Sequence, residues 1–436
     1  MSSKTLALLG GPADELPKSG PHPSFRQETI DRVVEMLERG RTVGLNRNTP
    51  EIAEAESAIA AWQGVPHCLL ASSGHAALQD CLMGLEISWG DEVITTPYTW
   101  GASISCILHN NAIPVFVDVC PETGLLDPAA VEAAITPRSR AILAVHIFGQ
   151  AANLTALRAI ADRHGLKLIE DGSQAHGALH AGRKVGTFGH AAGFSCMGGK
   201  LLATAEAGFM VTPDKEVYWK AALCGQHMGR SLEPDFPHER LDRYIDSLVY
   251  TYRLSPLVAV MLTEQIRKLD EEIAGRRENV RLLRAAMAGL SLVSFPVYAA
   301  GDEPSYHMIT MNFAAEAAGI SKQTLFQALR AEGVGCFQYI PSPISTWPRL
   351  HWQTYAGPKV MWTEPLRQSG IDYRAVRVPN CELKIARSVE MGWNYTTPDA
   401  AGMRRLAAAF GKVEANLPAL RAWERRQSKQ GANPHG

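Results

Sequence analysis

Residues 168–211 read LIEDGSQAHGALHAGRKVGTFGHAAGFSCMGGKLLATAEAGFMV, and this stretch decides the fold. One apolar run ends at Asp171, and a second ends at Ser195, five residues before Lys200. Ligands of open α/β sheets collect where the strands end, so polar side chains at these points are candidates for a site. The stretch therefore predicts two strands whose ends bring a carboxylate, a hydroxyl and a lysine to one place.

The sequence upstream alternates between short apolar runs and segments with helical periodicity. The runs are rich in Val, Ile and Leu, as are the strands of a parallel sheet that is covered on both faces. The predicted strands are 67–71, 91–96, 113–119, 141–146 and 166–169, and the predicted helices are 74–85, 102–110, 127–135 and 154–164. The pattern predicts an α/β fold with a mostly parallel sheet covered by helices.

The periodicity changes in the second half of the chain. Residues 255–290 have long helical periodicity, and their charged side chains are most simply the solvated face of a bridging helix. We predict a large domain of residues 1–275, with an N-terminal arm, and a smaller C-terminal α+β domain of residues 276–420. Residues 421–436 are polar, and we predict a flexible tail. Within the smaller domain we predict a strand at 305–313 and helices at 321–332 and 397–416.

Composition excludes several classes of protein. The 436 residues exceed a typical single domain, and 43 basic against 44 acidic side chains leave no basic footprint for nucleic acid or an anionic membrane. No segment approaches the roughly 20 apolar residues of a membrane span, and the apolar run at the N-terminus is too short for a signal peptide. The eight cysteines include no CxxC pair, so we expect no metal site and a reducing, cytoplasmic environment.

A lysine, a carboxylate and a small hydroxyl near strand ends are the groups that a pyridoxal phosphate site needs. Lys200 forms an imine with the aldehyde of this cofactor. Asp171 keeps the ring nitrogen protonated, so that the ring withdraws electrons from the substrate. Ser195 helps to hold the phosphate. The sequence predicts pyridoxal 5′-phosphate as cofactor, with Lys200 and Asp171 as the catalytic residues.

Other roles exist for two of these positions. Lys200 follows a glycine as in a phosphate-binding loop, but Leu201 stands where that motif requires Ser or Thr. A surface lysine is a second alternative, although apolar neighbours such as Met197 make a poor surface. Asp171 could be a helix N-cap or a turn residue. Its place at the end of an apolar strand favours a functional role.

Further side chains near the strand ends are candidates for the same site. Gln174 could reach the 3-oxygen of the cofactor, whereas His176 is either a packed structural histidine or a catalytic one. Trp100 follows the predicted strand 91–96 and could stack on a planar cofactor, although a lone Trp is more often core. Small residues around Gly74 open a helix directly after a strand, which points backbone N–H groups at a phosphate.

With these residues in place, the chain resembles the DegT/DnrJ/StrS sugar aminotransferase family of fold type I pyridoxal phosphate enzymes. The resemblance covers nearly the whole chain, and it includes VITTPYTWGASISCILHNNAIPVFVDV at 93–119 and VYTYRLSPLVAVMLTEQIRKLDEEI at 249–273. The EDGSQAHGA segment and the LALLGGP start are most similar to the branch of glutamine:scyllo-inosose aminotransferases and aminohydroxybenzoate synthases. The most specific feature is the spacing of Asp171, Gln174, Ser195 and Lys200.

The resemblance implies a role for individual residues. Family active sites draw on both subunits, so it implies a homodimer, with Arg253 near the site across the interface. It implies that Trp100 lies over the ring face and that Gln174 lies near the 3-oxygen. The substrate-binding candidates are His176, Arg253 and Tyr339. The implied cofactor-binding residues are Gly74, His75, Trp100, Asp171, Gln174, Ser195, Lys200 and Thr251.

Three positions depart from the family pattern. His75 stands where the family usually has Thr, which removes a phosphate-binding hydroxyl and supplies a ring nitrogen. Thr251 replaces the Asn that contacts the phosphate of the partner subunit. Residues 205–208 read AEAG in place of GEGG, which puts more side chain near the site. The departures leave the cofactor chemistry in place and bear on the substrate and the reaction outcome.

We predict an aminotransferase that moves an amino group from glutamine or glutamate to a keto-sugar or a scyllo-inosose-like ketocyclitol, in aminosugar, aminocyclitol or antibiotic biosynthesis. An alternative is a dehydratase or other lyase that uses pyridoxal or pyridoxamine phosphate on the same fold. Dehydrating relatives replace the lysine with histidine, whereas Lys200 is present. A non-catalytic binding protein is the third hypothesis, and the intact Asp171, Ser195 and Lys200 argue against it.

Overall fold

The computed structural model describes residues 5–358 and 360–431. Within this part of the chain, none of the helices combines the length and the apolar character that a membrane crossing requires. The helices are α1 (Gln27–Glu38), α2 (Pro50–Gln63), α3 (Gly74–Gly84), α4 (Ala102–His109), α5 (Pro128–Ala133), α6 (Leu154–His164), α7 (Lys215–Gly225), α8 (His238–Leu241), α9 (Pro256–Ala286), α10 (Ala315–Ala318), α11 (Lys322–Ala331), α12 (Thr363–Ser369), α13 (Pro379–Arg387), α14 (Ala400–Ala415) and α15 (Leu417–Gly431). The strands are β1 (His67–Ala71), β2 (Glu92–Thr95), β3 (Ile113–Phe116), β4 (Ser139–Val145), β5 (Lys167–Asp171), β6 (Leu179–His180), β7 (Arg183–Lys184), β8 (Ala191–Ser195), β9 (Gly208–Thr212), β10 (Val293–Ser294), β11 (Met308–Phe313), β12 (Cys336–Phe337) and β13 (Ser388–Gly392).

Seven strands form the main sheet in the order β1-β9-β8-β5-β4-β2-β3. The pairs from β3 through β2, β4 and β5 to β8 are parallel, and β9 lies antiparallel between β8 and β1. Every residue of β2 and of β9 is buried, as expected for strands that helices cover on both faces. The predicted α/β fold with a mostly parallel sheet is confirmed.

A long helix leads from the main sheet to a smaller sheet. This helix, α9, has Pro256 in its first turn, where the missing N–H costs no hydrogen bond, and it ends at Ala286. The smaller sheet is antiparallel, in the order β10-β11-β13-β12. Its core includes Leu325 of α11 and Phe410 of α14. The bridging helix and the α+β character that the sequence indicates are both present.

The two predicted domains are contiguous blocks of the chain, but at two places the observed hydrophobic cores mix residues from both blocks. Leu6, near the N-terminus, lies in the core of the smaller sheet. In the C-terminal half, Ile344 and Tyr373 pack against Ile104 and Phe116 of the large domain. Apolar side chains share a core wherever burial is available, whatever their distance along the chain. The predicted domain boundary therefore stays a prediction.

The segment predicted as a flexible tail, residues 421–436, is helical as far as the structure describes it, since α15 ends at Gly431, and its flexibility stays a prediction. Nε of Arg421 donates to a main-chain carbonyl of the small domain at 2.8 Å. The carboxylate of Glu424 accepts the N–H of Ser321 at 3.0 Å. These bonds attach the polar helix to the small domain. Residues 432–436 lie outside the described residues.

Candidate active site

The two strands of the deciding stretch end side by side. β5 ends at Asp171 and β8 ends at Ser195, and these parallel strands are neighbours, with Asp171 beside Gly193. Ser195 pairs in turn with Gly208 at the start of β9. Because the carboxyl ends of parallel strands lie at the same edge, the carboxylate and the hydroxyl reach one side of the sheet.

Asp171 is a buried carboxylate, with 4% of its surface exposed. Oγ of Ser103 donates to its Oδ2 at 2.7 Å, and the N–H of Ser173 donates to its Oδ1 at 3.0 Å. Over residues 5–358 and 360–431, Asp171 forms no ion pair with a lysine, arginine or histidine. A buried carboxylate without a cation at ion-pair distance is costly, so the site suits a ligand that brings a protonated nitrogen.

Lys200 lies in the turn after β8 and is 8% exposed. Burial lowers the pKa of its ammonium group below the ordinary value, and the charge of Asp171 acts in the opposite direction. Nε2 of His22 lies 2.6 Å from the carbonyl oxygen of Lys200, which ties the turn to the N-terminal arm. A lowered pKa increases the fraction of neutral amine, the form that attacks an aldehyde.

A cradle for an anion lies where α3 begins. A Cβ added at Gly74 would come within 2.4 Å of Cβ of Ser195, so only glycine allows the first turn of the helix to approach this hydroxyl. Ser73 caps the helix by accepting the N–H of Ala76 at 3.1 Å. The remaining N–H groups of the first turn point toward the cradle with the positive end of the helix dipole. The arrangement suits a phosphate.

Gln174 is held from both ends of its amide group. Oε1 accepts the N–H of Phe148 at 2.7 Å, and Nε2 donates to the hydroxyl of Tyr339 at 3.1 Å. The ring of Tyr339 lies 5.9 Å from that of Trp100, which is 59% exposed. The structure thus brings together three predicted site residues, Trp100, Gln174 and Tyr339, from three separate segments.

His75 turns away from the phosphate cradle. Its Nδ1 lies 3.1 Å from Oγ of Ser105, and its Nε2 lies 2.9 Å from Nδ1 of His109. Burial and the neighbouring His109 lower the pKa of His75. Both ring nitrogens therefore have partners on α4. The main chain of His75, in the first turn of α3, can still serve the phosphate, whereas its ring serves the contact between the two helices.

His176 is packed in the core beneath the site. It is fully buried, with its ring 5.2 Å from Phe194 and 6.0 Å from Phe209. Burial, with a smaller contribution from Lys200, lowers its pKa to about 3. Nε2 lies 3.9 Å from Sγ of Cys196. These contacts favour a structural histidine that stays neutral over a substrate-binding one.

Thr251 and Arg253, the two residues that the resemblance places across an interface, lie in the segment that precedes α9. Thr251 is exposed, with a left-handed φ of 62°. The next residue, Tyr252, accepts the N–H of Ser72 through its carbonyl oxygen at 2.7 Å, which places this segment beside the start of α3. Arg253 lines a small cavity that includes Gln226. Their predicted roles across an interface stay predictions.

The AEAG segment keeps the glycine that the backbone requires. A Cβ at Gly208 would come within 2.3 Å of the carbonyl oxygen of Ser73. Ala205 and Glu206 are exposed, so their side chains point out of the core, whereas Ala207 is fully buried. The substitution of two family glycines therefore adds side chain without closing the approach between β9 and α3.

Sequence reasoning missed several residues that hold the site together. Ser103 carries the only side-chain hydroxyl within hydrogen-bond distance of Asp171 among the described residues. Phe148 adopts a φ of 62° and presents its N–H to Gln174. Both residues come after a predicted strand of the main sheet, and this position is the feature of the sequence that could have identified them as site residues. The contact of His22 with Lys200 links distant segments, for which the sequence carries no local sign.

The fold and the site define a class of protein. A parallel α/β sheet presents at one edge a buried lysine, a carboxylate with no ion-pair partner among the described residues, and a glycine-lined helix start. Each of these groups fits one part of pyridoxal phosphate: the aldehyde, the ring nitrogen and the phosphate. Over the described residues, no three His, Cys, Asp or Glu side chains are grouped to hold a metal ion. The class is the fold type I pyridoxal phosphate enzymes.

Within this class, residues 23–370 match the DegT/DnrJ/EryC1/StrS aminotransferase family, and the chain belongs to that family. The L-glutamine:2-deoxy-scyllo-inosose aminotransferase of Streptoalloteichus tenebrarius is 37% identical over 374 residues, 83% of this chain and 86% of the relative. The enzyme of the same name from Streptomyces fradiae is 33% identical over 426 residues, 94% and 97% of the two chains.

A solved structure is similar over the same extent. The crystal structure of 3-amino-5-hydroxybenzoic acid synthase matches with a TM-score of 0.75 at 27% identity, over 93% of this chain and 100% of that one. The predicted family, its branch and the fold are confirmed. The protein is a pyridoxal phosphate-dependent aminotransferase.

Proposed function

We propose that this aminotransferase moves an amino group from glutamine, or from glutamate, to the keto group of a ketocyclitol or keto-sugar. The observation that carries the proposal is the likeness to two L-glutamine:2-deoxy-scyllo-inosose aminotransferases over 83% and 94% of the chain. The substrate in both names is a cyclitol ketone, so we favour a cyclitol over a nucleotide-linked sugar. Asp171, Ser195 and Lys200 supply the groups that such a reaction requires.

The residues of the site divide the work. Bound pyridoxal phosphate supplies a ring that withdraws electrons from the carbon bearing the amino group. Asp171 holds a proton at the ring nitrogen through a charge-assisted hydrogen bond, and Ser103 keeps this carboxylate in place. Nζ of Lys200 takes a proton from the α-carbon of the donor and returns one on the way to product. Ser195 and the first turn of α3 hold the phosphate.

The lowered pKa of Lys200 suits this proton transfer. A general base must be neutral before it accepts a proton, and an exposed lysine is almost fully charged at physiological pH. Burial of Lys200 disfavours the charged ammonium form. The nearby Asp171 limits the shift, so that the same Nζ can hold the proton until it returns it. The lysine is thereby able to act as base and acid in turn.

The first experiment is the absorbance spectrum of the purified protein before and after addition of glutamine. We expect a visible band of enzyme-bound pyridoxal phosphate that fades with glutamine in the wild type. The Lys200→Ala variant should lack this response, and Lys215→Ala, at an exposed lysine, should keep it. A bound chromophore that ignores glutamine, glutamate and alanine would contradict the proposed half-reaction and favour the lyase hypothesis.

The acceptor is tested with a panel of ketones. We expect product from free cyclitol ketones such as scyllo-inosose and 2-deoxy-scyllo-inosose, with glutamine as donor. For nucleotide-linked keto-sugars we expect kcat/KM to be at least tenfold lower. A ratio of this size is what a difference in a few contacts between enzyme and substrate provides. Amination of nucleotide-linked sugars alone would contradict the cyclitol assignment and leave the aminotransferase class intact.

We also propose a homodimer. The segment around Thr251 leaves Leu248 and Tyr250 with 89% and 54% of their surfaces exposed. Neighbouring exposed apolar side chains are typical of interaction surfaces. The resemblance places the same segment at the interface between subunits. Light scattering during gel filtration should give twice the chain mass of 47.4 kDa, and the mass of one chain would contradict the proposal.

A further inference from the structure

Glu390 is a buried carboxylate in the small sheet, on strand β13 between β11 and β12. Burial raises the pKa of its carboxyl group. In the described parts of the chain no lysine, arginine or histidine lies within ion-pair distance of Glu390, although the charges of the buried Lys384 and of Lys322 act on it and oppose the effect of burial. An acidic side chain at such a position costs free energy that an apolar side chain would not. The contacts that Glu390 makes therefore indicate what it is for.

The two oxygens of Glu390 serve different segments. Oε2 accepts the main-chain N–H of Tyr339 at 3.1 Å. Oε1 lies 3.4 Å from the hydroxyl of Tyr98 and 3.4 Å from Oγ1 of Thr310, so these contacts are long. Tyr98 follows strand β2 of the main sheet, whereas Thr310 is on β11 of the small one. The short contact, and so the strong one, is with Tyr339.

Tyr339 carries the connection onward to the active site. Its main-chain N–H donates to Glu390, and its hydroxyl oxygen accepts a hydrogen bond from Nε2 of Gln174 at 3.1 Å. Its ring lies 5.9 Å from Trp100 and 5.7 Å from Phe148. Burial raises the pKa of Tyr339 to about 12, so the hydroxyl stays protonated at physiological pH. Because the hydroxyl contacts Gln174 and the ring lies near Trp100 and Phe148, a shift of the Tyr339 main chain would disturb both sets of contacts.

We propose that Glu390 is a positioning residue, which acts through Tyr339 to hold Gln174 and the aromatic side of the active site. The carboxylate fixes the main chain of Tyr339, and the tyrosine hydroxyl then fixes the amide of Gln174. The inference rests on the proposed place of Gln174 near the 3-oxygen of the cofactor. It assigns to the small domain a direct part in setting the geometry around the cofactor ring.

The test is a double-mutant cycle of Glu390→Leu and Tyr339→Phe in the holoenzyme. The readouts are the absorbance maximum of the bound cofactor, the affinity of the apoprotein for pyridoxal phosphate, and kcat and KM for each substrate. We expect each single substitution to shift the absorbance maximum and to lower kcat/KM by roughly tenfold, because each removes one hydrogen bond of the link between Glu390 and Gln174. The double variant should be within about twofold of either single one, because both act on the same link.

Two variants control for a purely structural role. Glu390→Gln keeps an oxygen that can accept the N–H of Tyr339, and we expect kcat/KM within about threefold of wild type. Thr310→Val removes the long contact with Glu390 and a hydrogen bond from Lys384, but it leaves the contact between Glu390 and Tyr339, so the absorbance maximum and KM should not change. If Glu390→Leu fails to fold, Glu390→Asp in the same cycle shortens the reach of the carboxylate and keeps its charge.

The outcomes separate the inference from the proposed function. Additive effects in the cycle, or the same small effects for Glu390→Leu and Thr310→Val, would overturn the positioning role. The absorbance and affinity measurements need no substrate, so they test Glu390 even if no ketone is aminated. A wild type that binds the cofactor but transfers no amino group would overturn the proposed function alone.

Discussion

Oγ of Ser103 donates a 2.7 Å hydrogen bond to Oδ2 of Asp171, although the two residues are 68 positions apart in the chain. Ser103 lies in the first turn of α4, and Asp171 ends β5. Ser103 is in turn 2.8 Å from Oγ1 of Thr99. The carboxylate that we propose to face the cofactor ring is therefore oriented by the start of a helix.

Replacement of Ser103 should weaken catalysis more than stability. Ser103→Ala removes one of the two hydrogen bonds to Asp171, so the carboxylate loses its fixed orientation toward the ring nitrogen. We expect kcat/KM to fall by roughly tenfold, the effect of one hydrogen bond to a charged group. Ser231→Ala also removes one buried hydroxyl bond, to the carbonyl of Met228, and should leave kcat/KM unchanged. Equal losses in both variants would contradict the role of Ser103.

Replacement of Gly74 should weaken cofactor binding. In Gly74→Ala the new Cβ would lie 2.4 Å from Cβ of Ser195, so the helix start and the serine must separate. We expect at least a tenfold higher dissociation constant for pyridoxal phosphate, measured by titration of the apoprotein. Gly411→Ala, in α14, brings its Cβ no closer than 3.6 Å to Leu290 and should bind the cofactor as the wild type does. Unchanged affinity in Gly74→Ala would exclude a cradle at this position.

Replacement of Thr251 should stabilise the protein. A β-branched residue at a φ of 62° is strained, whereas Asn tolerates this left-handed conformation. We expect Thr251→Asn to raise the free energy of unfolding by about 1 kcal/mol, measured in urea. Thr354→Asn is the control, at an exposed threonine that does not have a positive φ. It should change the free energy of unfolding by less than about 0.5 kcal/mol. A destabilised Thr251→Asn would show that the threonine side chain makes a contact that outweighs the strain.

His176 should make the fold sensitive to acid. Its pKa is about 3 in the folded protein against an ordinary 6.5, so the unfolded chain binds more protons between these values. Stability therefore rises with pH across this window and falls as the pH drops below about 6.5, by up to about 1.4 kcal/mol per pH unit. We expect His176→Phe to flatten the dependence of the urea midpoint between pH 4 and 6.5. Parallel profiles for variant and wild type would mean that His176 binds its proton at the same pH in the folded protein as in the unfolded chain.

The strands show how far local pattern determines this fold. The predicted strand 67–71 coincides with β1, and the predicted helix 154–164 with α6. Apolar runs and helical periodicity depend on neighbouring residues only, which the sequence states directly. β9 pairs antiparallel inside an otherwise parallel sheet, and no local pattern distinguishes this direction. Strand order and direction depend on long-range hydrogen bonds, which the sequence does not express.

The site divides in the same way. Asp171, Ser195 and Lys200 lie within one stretch, 168–211, so their spacing was enough to predict a pyridoxal phosphate site. The partners that orient them come from elsewhere: Ser103 reaches Asp171, and His22 reaches Lys200. The helical tail is a further case, because the polar residues of α15 are attached by bonds to the small domain and not by an apolar face of their own.

The sequence by itself determined the cofactor and the class of fold, and it carries the proposal for Asp171, Ser195 and Lys200, because these depend on side-chain identity and short spacing. The tertiary structure alone decided how the groups are aimed: the carboxylate of Asp171 is held by Ser103, the amide of Gln174 by Tyr339, and the ring of His75 by His109. Each of these directions is set by a hydrogen bond between segments that are distant in the chain. Such bonds form only after the sheet and its helices have packed.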